Sequence, residues 1–133
     1  MGMTTDLWLA AFAIALTWLM VFSASFWRAK AWSPKGMMLA FGNREDVPPP
    51  TGANGRAMRA ANNMLENLPL FLGMVTIAHL AGKQGDRVVL GAHLWFWARL
   101  AYWPVYLLGV PGLRTAIWWV SIVGLGVIFT ALL

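Results

Sequence analysis

The chain has 133 residues, of which 59% are hydrophobic and only 11% charged. Soluble domains run about 45–50% apolar and about 25% charged, so these proportions, with nine tryptophans and a positive mean hydropathy, point to one integral membrane domain. The absence of cysteine excludes disulfides, thiolate metal sites and a cysteine nucleophile, and the net charge of +5 reads as a topology signal rather than a sign of nucleic acid.

The N-terminus has no basic n-region ahead of the first apolar run, so no cleaved signal peptide is expected. The first apolar run, about Leu7 to Trp27, is long enough to cross a ~30 Å hydrocarbon core and predicts a helix over 5–33. "RAKAWSPKG" stops it with basic residues and a proline, opening a loop over 34–54 in which "PPP" makes a stiff corner. A second helix is expected over 55–81, apolar from Met64 to Ala81, and "GKQGD" turns the chain. The third covers 87–108, with Arg99 inside it and Pro104 near its end; "GVPG" then leads to a fourth over 114–132. Backbone polar groups in lipid must be satisfied within the segment, so these runs are helices, and they are too long and continuous for barrel strands. The expected fold is all-α: a single domain, 1–133, forming an integral membrane four-helix bundle. Gly73, Gly124 and Gly126 are expected to mark close helix packing.

The long connection holds Arg28, Lys30, Lys35, Arg44 and Arg56 against Glu45 and Asp46, whereas the second turn has only Lys83 and Arg87. The positive-inside rule therefore puts the loop in the cytoplasm and both termini outside. Trp27, Trp32 and the Trp103 region fit interfacial belts.

Chemistry concentrates in "GRAMRAANNMLENLPLF". At 100° per residue, Arg59, Asn63 and Glu66 fall within about 60° of each other, with Arg56 close beside them. Arg99, Tyr102 and Tyr106 share a face of the third helix by the same arithmetic, and Arg114 opens the fourth with Thr115 next to it. A charge at membrane depth costs at least ~2.5–3.5 kcal/mol on insertion scales and normally faces a partner or a wet cavity. One reading is a structural ion pair between Glu66 and Arg99. It leaves unexplained why Arg44, Arg56, Arg59, Arg99 and Arg114 crowd near one membrane face with three acids near them; that surplus suits an anionic ligand, since guanidinium forks match carboxylates. His79 and His93 sit near span ends, where interfacial histidines are more ordinary than haem ligands. No metal site is expected.

"FGNRED", "GRAMRAANNMLENLPLF" and "ARLAYWPVYLLGVPGLRT" resemble the MAPEG family, the membrane-associated proteins in eicosanoid and glutathione metabolism. The R-x-x-x-N-x-x-E-N-x-P-x-F pattern is the specific part, and R-x-x-Y-x-x-x-Y…R-[ST] supports it independently. The resemblance implies a homotrimer with glutathione bound at each subunit interface near the cytoplasmic side. By position, Arg59, Asn63 and Glu66 would hold glutathione's backbone and charged ends, and Arg99, Tyr102 and Tyr106 would continue the pocket. Arg114 and Thr115 would sit at the thiol; Asp46 matches an acidic position near the same site, and Lys35 would reach it. The sequence departs from a prostaglandin synthase-like member at Tyr102 (histidine there), Asn62 (arginine), Trp118 (tyrosine) and Thr115 (serine), which favours a general or bacterial-type member placed in a bacterial inner membrane. The resulting expectation is a glutathione-dependent transferase or peroxidase acting on hydrophobic electrophiles that partition into the bilayer. Two rivals stand beside it: a non-catalytic membrane scaffold that keeps the fold, and a small transporter, disfavoured because the helices lack paired broken segments.

Overall fold

The computed structural model describes residues 2–133. The chain forms five helices: α1 (Thr5–Ala29), α2 (Pro34–Phe41), α3 (Gly52–Leu80), α4 (Asp86–Leu108) and α5 (Pro111–Leu132). Four are long and α2 is a single short helix inside the expected loop, so the count exceeds the expected four by one. Its start has a local cause. Lys30 adopts a left-handed conformation, φ 52°, and caps α1 at Ala29 rather than at residue 33. Ser33 then accepts a hydrogen bond from the Gly36 amide at 3.0 Å, with Pro34 in the first turn. Serine as N-cap followed by proline is a preferred helix start.

The tertiary order follows from which helix faces are small and which are polar. The central helices α3 and α4 pack on each other; α1 lies against both of them, and α5 lies mainly along α4 with a lesser contact to α3. α1 and α5 do not touch. These two outer helices are the ones long and apolar enough to cross a membrane by length and composition. α3 and α4 carry the polar residues and lie between them.

Close approach comes from small side chains, as is usual where apolar helices gain nothing from excluding water. Ala10, Ala13 and Ala24 of α1 and Ala57, Ala60, Ala61 and Ala78 of α3 are buried, and the Asn54 amide of α3 donates to the Ala24 carbonyl of α1 at 3.1 Å. The tightest crossing is between α4 and α5. A Cβ built on Gly91 would stand 2.6 Å from the Gly124 carbonyl oxygen, and one on Gly124 would stand 2.7 Å from the Gly91 oxygen. Gly124 is thus a contact glycine, as expected, with Gly91 its unforeseen partner. Gly73 and Gly126 have nothing within 4 Å of such a Cβ and mark no packing within the chain. Pro69 and Pro104 lie inside α3 and α4, where each removes one backbone hydrogen bond.

Below the polar region, Phe71 of α3 and Trp95 of α4 stack with centroids 4.0 Å apart and planes 5° from parallel, among Met64, Val75 and Val88. This pair fixes the facing of α3 on α4 immediately beneath the residues of interest.

A methyl group at position 91 has nowhere to go, while one at 73 meets open space. Gly91→Ala is therefore expected to destabilise the protein by about 1–3 kcal/mol, the usual cost of overpacking, and Gly73→Ala to leave stability unchanged or raised. Thermal unfolding of both variants in the same detergent checks the contrast.

Candidate functional site

Arg99 organises the polar contacts among α3, α4 and α5. It is 1% exposed, and its Nη1 donates to the Asn63 side-chain oxygen at 2.6 Å. Trp95 and Tyr102, one turn to either side on α4, place their rings 5.6 and 5.4 Å from the guanidinium carbon, within cation–π range. Asn63 is itself held: buried Asn67 donates its amide to the Asn63 main-chain carbonyl at 2.8 Å. Arg99 Nε and Nη2 meet no acceptor among the described residues, so two charged donors lie buried without a partner behind the residues that line the cleft.

The Glu66–Arg99 ion pair, one of the two readings of the sequence, does not form; Arg99 meets the Asn63 amide oxygen instead. Glu66 lies three residues beyond Asn63, which turns it by about 60° around the helix. That is enough to place it on the exposed surface of α3, together with Arg59 and Asn62.

From Arg99 the aromatic contacts continue towards the start of α5. Tyr102 and Tyr106 meet edge-on at 5.4 Å, and the Arg114 guanidinium carbon lies 4.6 Å from the Tyr106 centroid. Asn63, Tyr102, Arg114, Thr115 and Trp118 line a cleft of about 220 Å³ contributed by three helices. The Thr115 hydroxyl donates to the Pro111 carbonyl at 3.0 Å, so any hydrogen bond it gives a ligand must replace that one. Arg114 is half-buried and its guanidinium is positioned by the tyrosine face rather than by an acid.

The chain therefore brings Asn63, Arg99, Tyr102, Tyr106, Arg114 and Thr115 together. Lys35 and Asp46 are elsewhere: both are exposed and line a separate cavity of about 460 Å³ with Arg44 and Glu45. Arg59 and Glu66 point away from the chain's own core. Arg56 has a structural partner, donating Nε to the Leu107 carbonyl at 2.8 Å, where a cation favours the C-terminus of α4. Trp118 and Asn67 were not singled out as site residues by sequence. Trp118 stands one turn after Arg114, a spacing that carries the signal; nothing in the spacing of Asn67 distinguished a supporting amide from a ligand contact. His79 contacts Gln84 at 2.9 Å and His93 accepts from Trp97 Nε1 at 3.1 Å; neither histidine lines the cleft.

The model of the MAPEG family matches residues 5–133. The chain belongs to the MAPEG family. That match runs from the start of α1 to the last residue, so the cleft lies inside a MAPEG domain and not in an appended segment. No curated protein and no solved structure matches the chain at a significant level. The MAPEG family is membrane-associated and includes glutathione transferases and peroxidases, and its members generally use glutathione.

Removing Asn63 alone leaves Arg99 buried with one acceptor fewer. Asn63→Leu is expected to cost about 1.5–3 kcal/mol, the range for a hydrogen bond to a charged group. Arg99→Leu combined with Asn63→Leu is expected to recover most of that loss, since an apolar pair strands no charge. Melting of the single and double variants in detergent measures the difference.

Proposed function

We propose that the protein is a glutathione-dependent transferase or peroxidase that acts on hydrophobic electrophiles drawn from the bilayer. The observation that carries this reading is the convergence of Asn63, Tyr102, Arg114 and Thr115 on one cleft above a buried Arg99 with two unused donors. These are guanidinium, amide, phenol and hydroxyl groups, a set suited to a guest with two carboxylates, an amine and two peptide links. A MAPEG chain with this donor set matches glutathione in chemistry.

The cleft in one chain is about 220 Å³, below the ~300–1,000 Å³ of pockets that enclose a small molecule. Glu66 sits about 20 Å along α3 from its first residue, at 1.5 Å per residue, yet it is exposed, as is Arg59. A carboxylate at that depth needs a cover. A homotrimer supplies it. In this assembly the outward stripe of α3 faces a neighbouring subunit, and Lys35 and Asp46 of one chain complete the cleft of another. All four long helices then cross the membrane, α3 and α4 shielded by α1, α5 and the neighbours. The basic end, with α2 and the segment up to Gly52, lies in the cytoplasm of a bacterial inner membrane, with both termini outside.

The chemistry asked of the chain is small. Arg59, Asn63, Glu66 and Arg99 bind and orient the tripeptide, with Tyr102 and Tyr106 as the wall. Arg114 lies beside the sulfur. A free thiol has a pKa of about 8.5, and a guanidinium within reach favours its charged, nucleophilic form. The thiolate attacks an electrophilic carbon to form a carbon–sulfur bond as the leaving group departs, or attacks the terminal oxygen of a hydroperoxide, breaking the O–O bond. In the second case the alkoxide leaves as the alcohol after taking a proton, and a second glutathione reduces the resulting sulfenic acid to give glutathione disulfide and water. A polar co-substrate enters from water and the apolar partner from lipid, so the two need meet only at the cleft. A scaffold that keeps the fold without catalysis is the second reading, favoured by the bond that occupies the Thr115 hydroxyl.

Calorimetry of the detergent-purified protein with glutathione separates the two. Saturable binding that weakens in Glu66→Gln is expected of the enzyme, and no heat of binding would leave the scaffold.

Arg114→Ala is expected to keep most of the glutathione affinity while losing the ultraviolet absorbance of bound thiolate and most of the conjugating activity. Arg114→Lys is expected to restore only part, because a point charge on a different stem does not reproduce the fork. Unchanged thiolate absorbance and turnover in Arg114→Ala would transfer the activating role to Arg99.

A further inference from the structure

A second cavity opens at the same end of the bundle, roofed by the helix that the sequence did not reveal. Its volume is about 420 Å³, within the ~300–1,000 Å³ of small-molecule sites. Phe22 and Phe26 of α1, Met37 and Phe41 of α2 and Met58 of α3 form its apolar walls. None of the residues assigned to glutathione lines it. The roof is fixed: Gly36 is buried, and a Cβ there would collide with the Lys30 and Ala29 carbonyl oxygens, so α2 cannot sit this close with any other residue.

Two guanidinium groups, Arg28 and Arg44, complete the lining. Each is tethered through Nε to a backbone carbonyl, Arg28 to Pro48 at 3.0 Å and Arg44 to Ala40 at 3.2 Å. The hydrogen bonds of the described residues leave their terminal nitrogens unengaged. Arg44 holds this place with a φ of 63°, a conformation disfavoured for a residue with a side chain. Arg44 also borders the other cavity, where Glu45, Asp46 and Lys35 stand, whereas neither acid lines this one. Beside it Trp32 lies 6.2 Å, centroid to centroid, from the wall residue Phe26 and is exposed, as is Phe41; an exposed tryptophan is the kind of side chain found at headgroup level.

We propose that this cavity holds an acyl chain of an anionic phospholipid, with the headgroup phosphate on Arg28 and Arg44. The apolar walls account for the chain, and the paired forks account for a phosphate oxyanion. The net charge of two arginines selects an anionic over a zwitterionic headgroup, and the exposed aromatic rim makes the bilayer the source. The site is distinct from the glutathione cleft and stands or falls without it.

The test is native mass spectrometry of the full-length protein in mild detergent, titrated separately with phosphatidylglycerol, phosphatidylcholine of the same chains, and palmitate. Phosphatidylglycerol is expected to be retained roughly tenfold or more over phosphatidylcholine, the scale of two basic residues acting on an anionic lipid. Arg28→Gln with Arg44→Gln is expected to reduce retention to the phosphatidylcholine level, and Ala40→Trp, which fills the cavity, to remove both lipids. Because Ala40→Trp can also dislodge α2, the arginine pair is read separately, with helicity by circular dichroism showing that the fold persists. Equal retention of the two phospholipids, or a preference undiminished in the arginine variant, overturns the proposal. So does palmitate binding more tightly than phosphatidylglycerol, which would make the occupant a free fatty acid.

Discussion

A guanidinium cannot be placed inside an apolar helix bundle without fixing what surrounds it. Burying an unpaired charge is prohibitive, so the group must be given acceptors and polarisable faces. Arg99 receives one amide oxygen from the neighbouring helix and two aromatic rings from its own. Asn63 must then face α4, which requires Asn67 behind it, and the facing of α3 on α4 is set at the same level by the Phe71–Trp95 stack. Everything polar at this end of the molecule is arranged relative to that one contact. The incomplete satisfaction of Arg99 is also what supports the proposed site: two donors held in the interior attract an anion more strongly than the same donors in water.

The arginines that looked like one surplus divide into different tasks. Arg56 donates to the Leu107 carbonyl at the C-terminal end of α4, and Arg99 organises the interior. Arg114 stands on a tyrosine face at the cleft, and Arg44 stands at the mouth of the cavity under α2. Arg59 is free on the outer surface of α3. Composition alone sees five like charges near one membrane border. Only the partners of each show that some are committed to the fold and others remain open to a ligand.

The outer helices α1 and α5 were legible because hydrophobic run length is a strong signal, and the face shared by Arg99, Tyr102 and Tyr106 was legible because helical spacing is fixed. What was not legible depended on neighbours distant in sequence. Glu66 and Asn63 are one turn apart and equally able to meet Arg99 on a helical wheel; the rotation of α3 about its axis, set by packing, chose the amide. Gly73, Gly91, Gly124 and Gly126 look alike as glycines, yet only the two that oppose each other across α4 and α5 do any packing. The short helix α2 lies where the sequence reads as loop, and only the structure shows that Ser33 and Pro34 start a helix there. Lys35 and Asp46 show the limit most clearly: the family pattern puts them beside the cleft, and within one chain they are exposed in another cavity.

That separation bears on how such a protein would control its chemistry. A cleft complete within one subunit would carry its charges at membrane depth whether or not it was assembled. Here the isolated chain holds only the part that can be stabilised internally, the Arg99–Asn63–tyrosine core, and leaves Arg59 and Glu66 uncovered. In the proposed trimer those two become buried only when a neighbour arrives, so assembly and site formation are the same event. The cost of uncovered charge in the bilayer would then disfavour the monomer as strongly as any apolar contact favours the trimer. The polar stripe on α3 would serve association and ligand binding together, which gives a physical reason for so many hydrophilic residues on a helix packed between two that are apolar enough to cross a membrane.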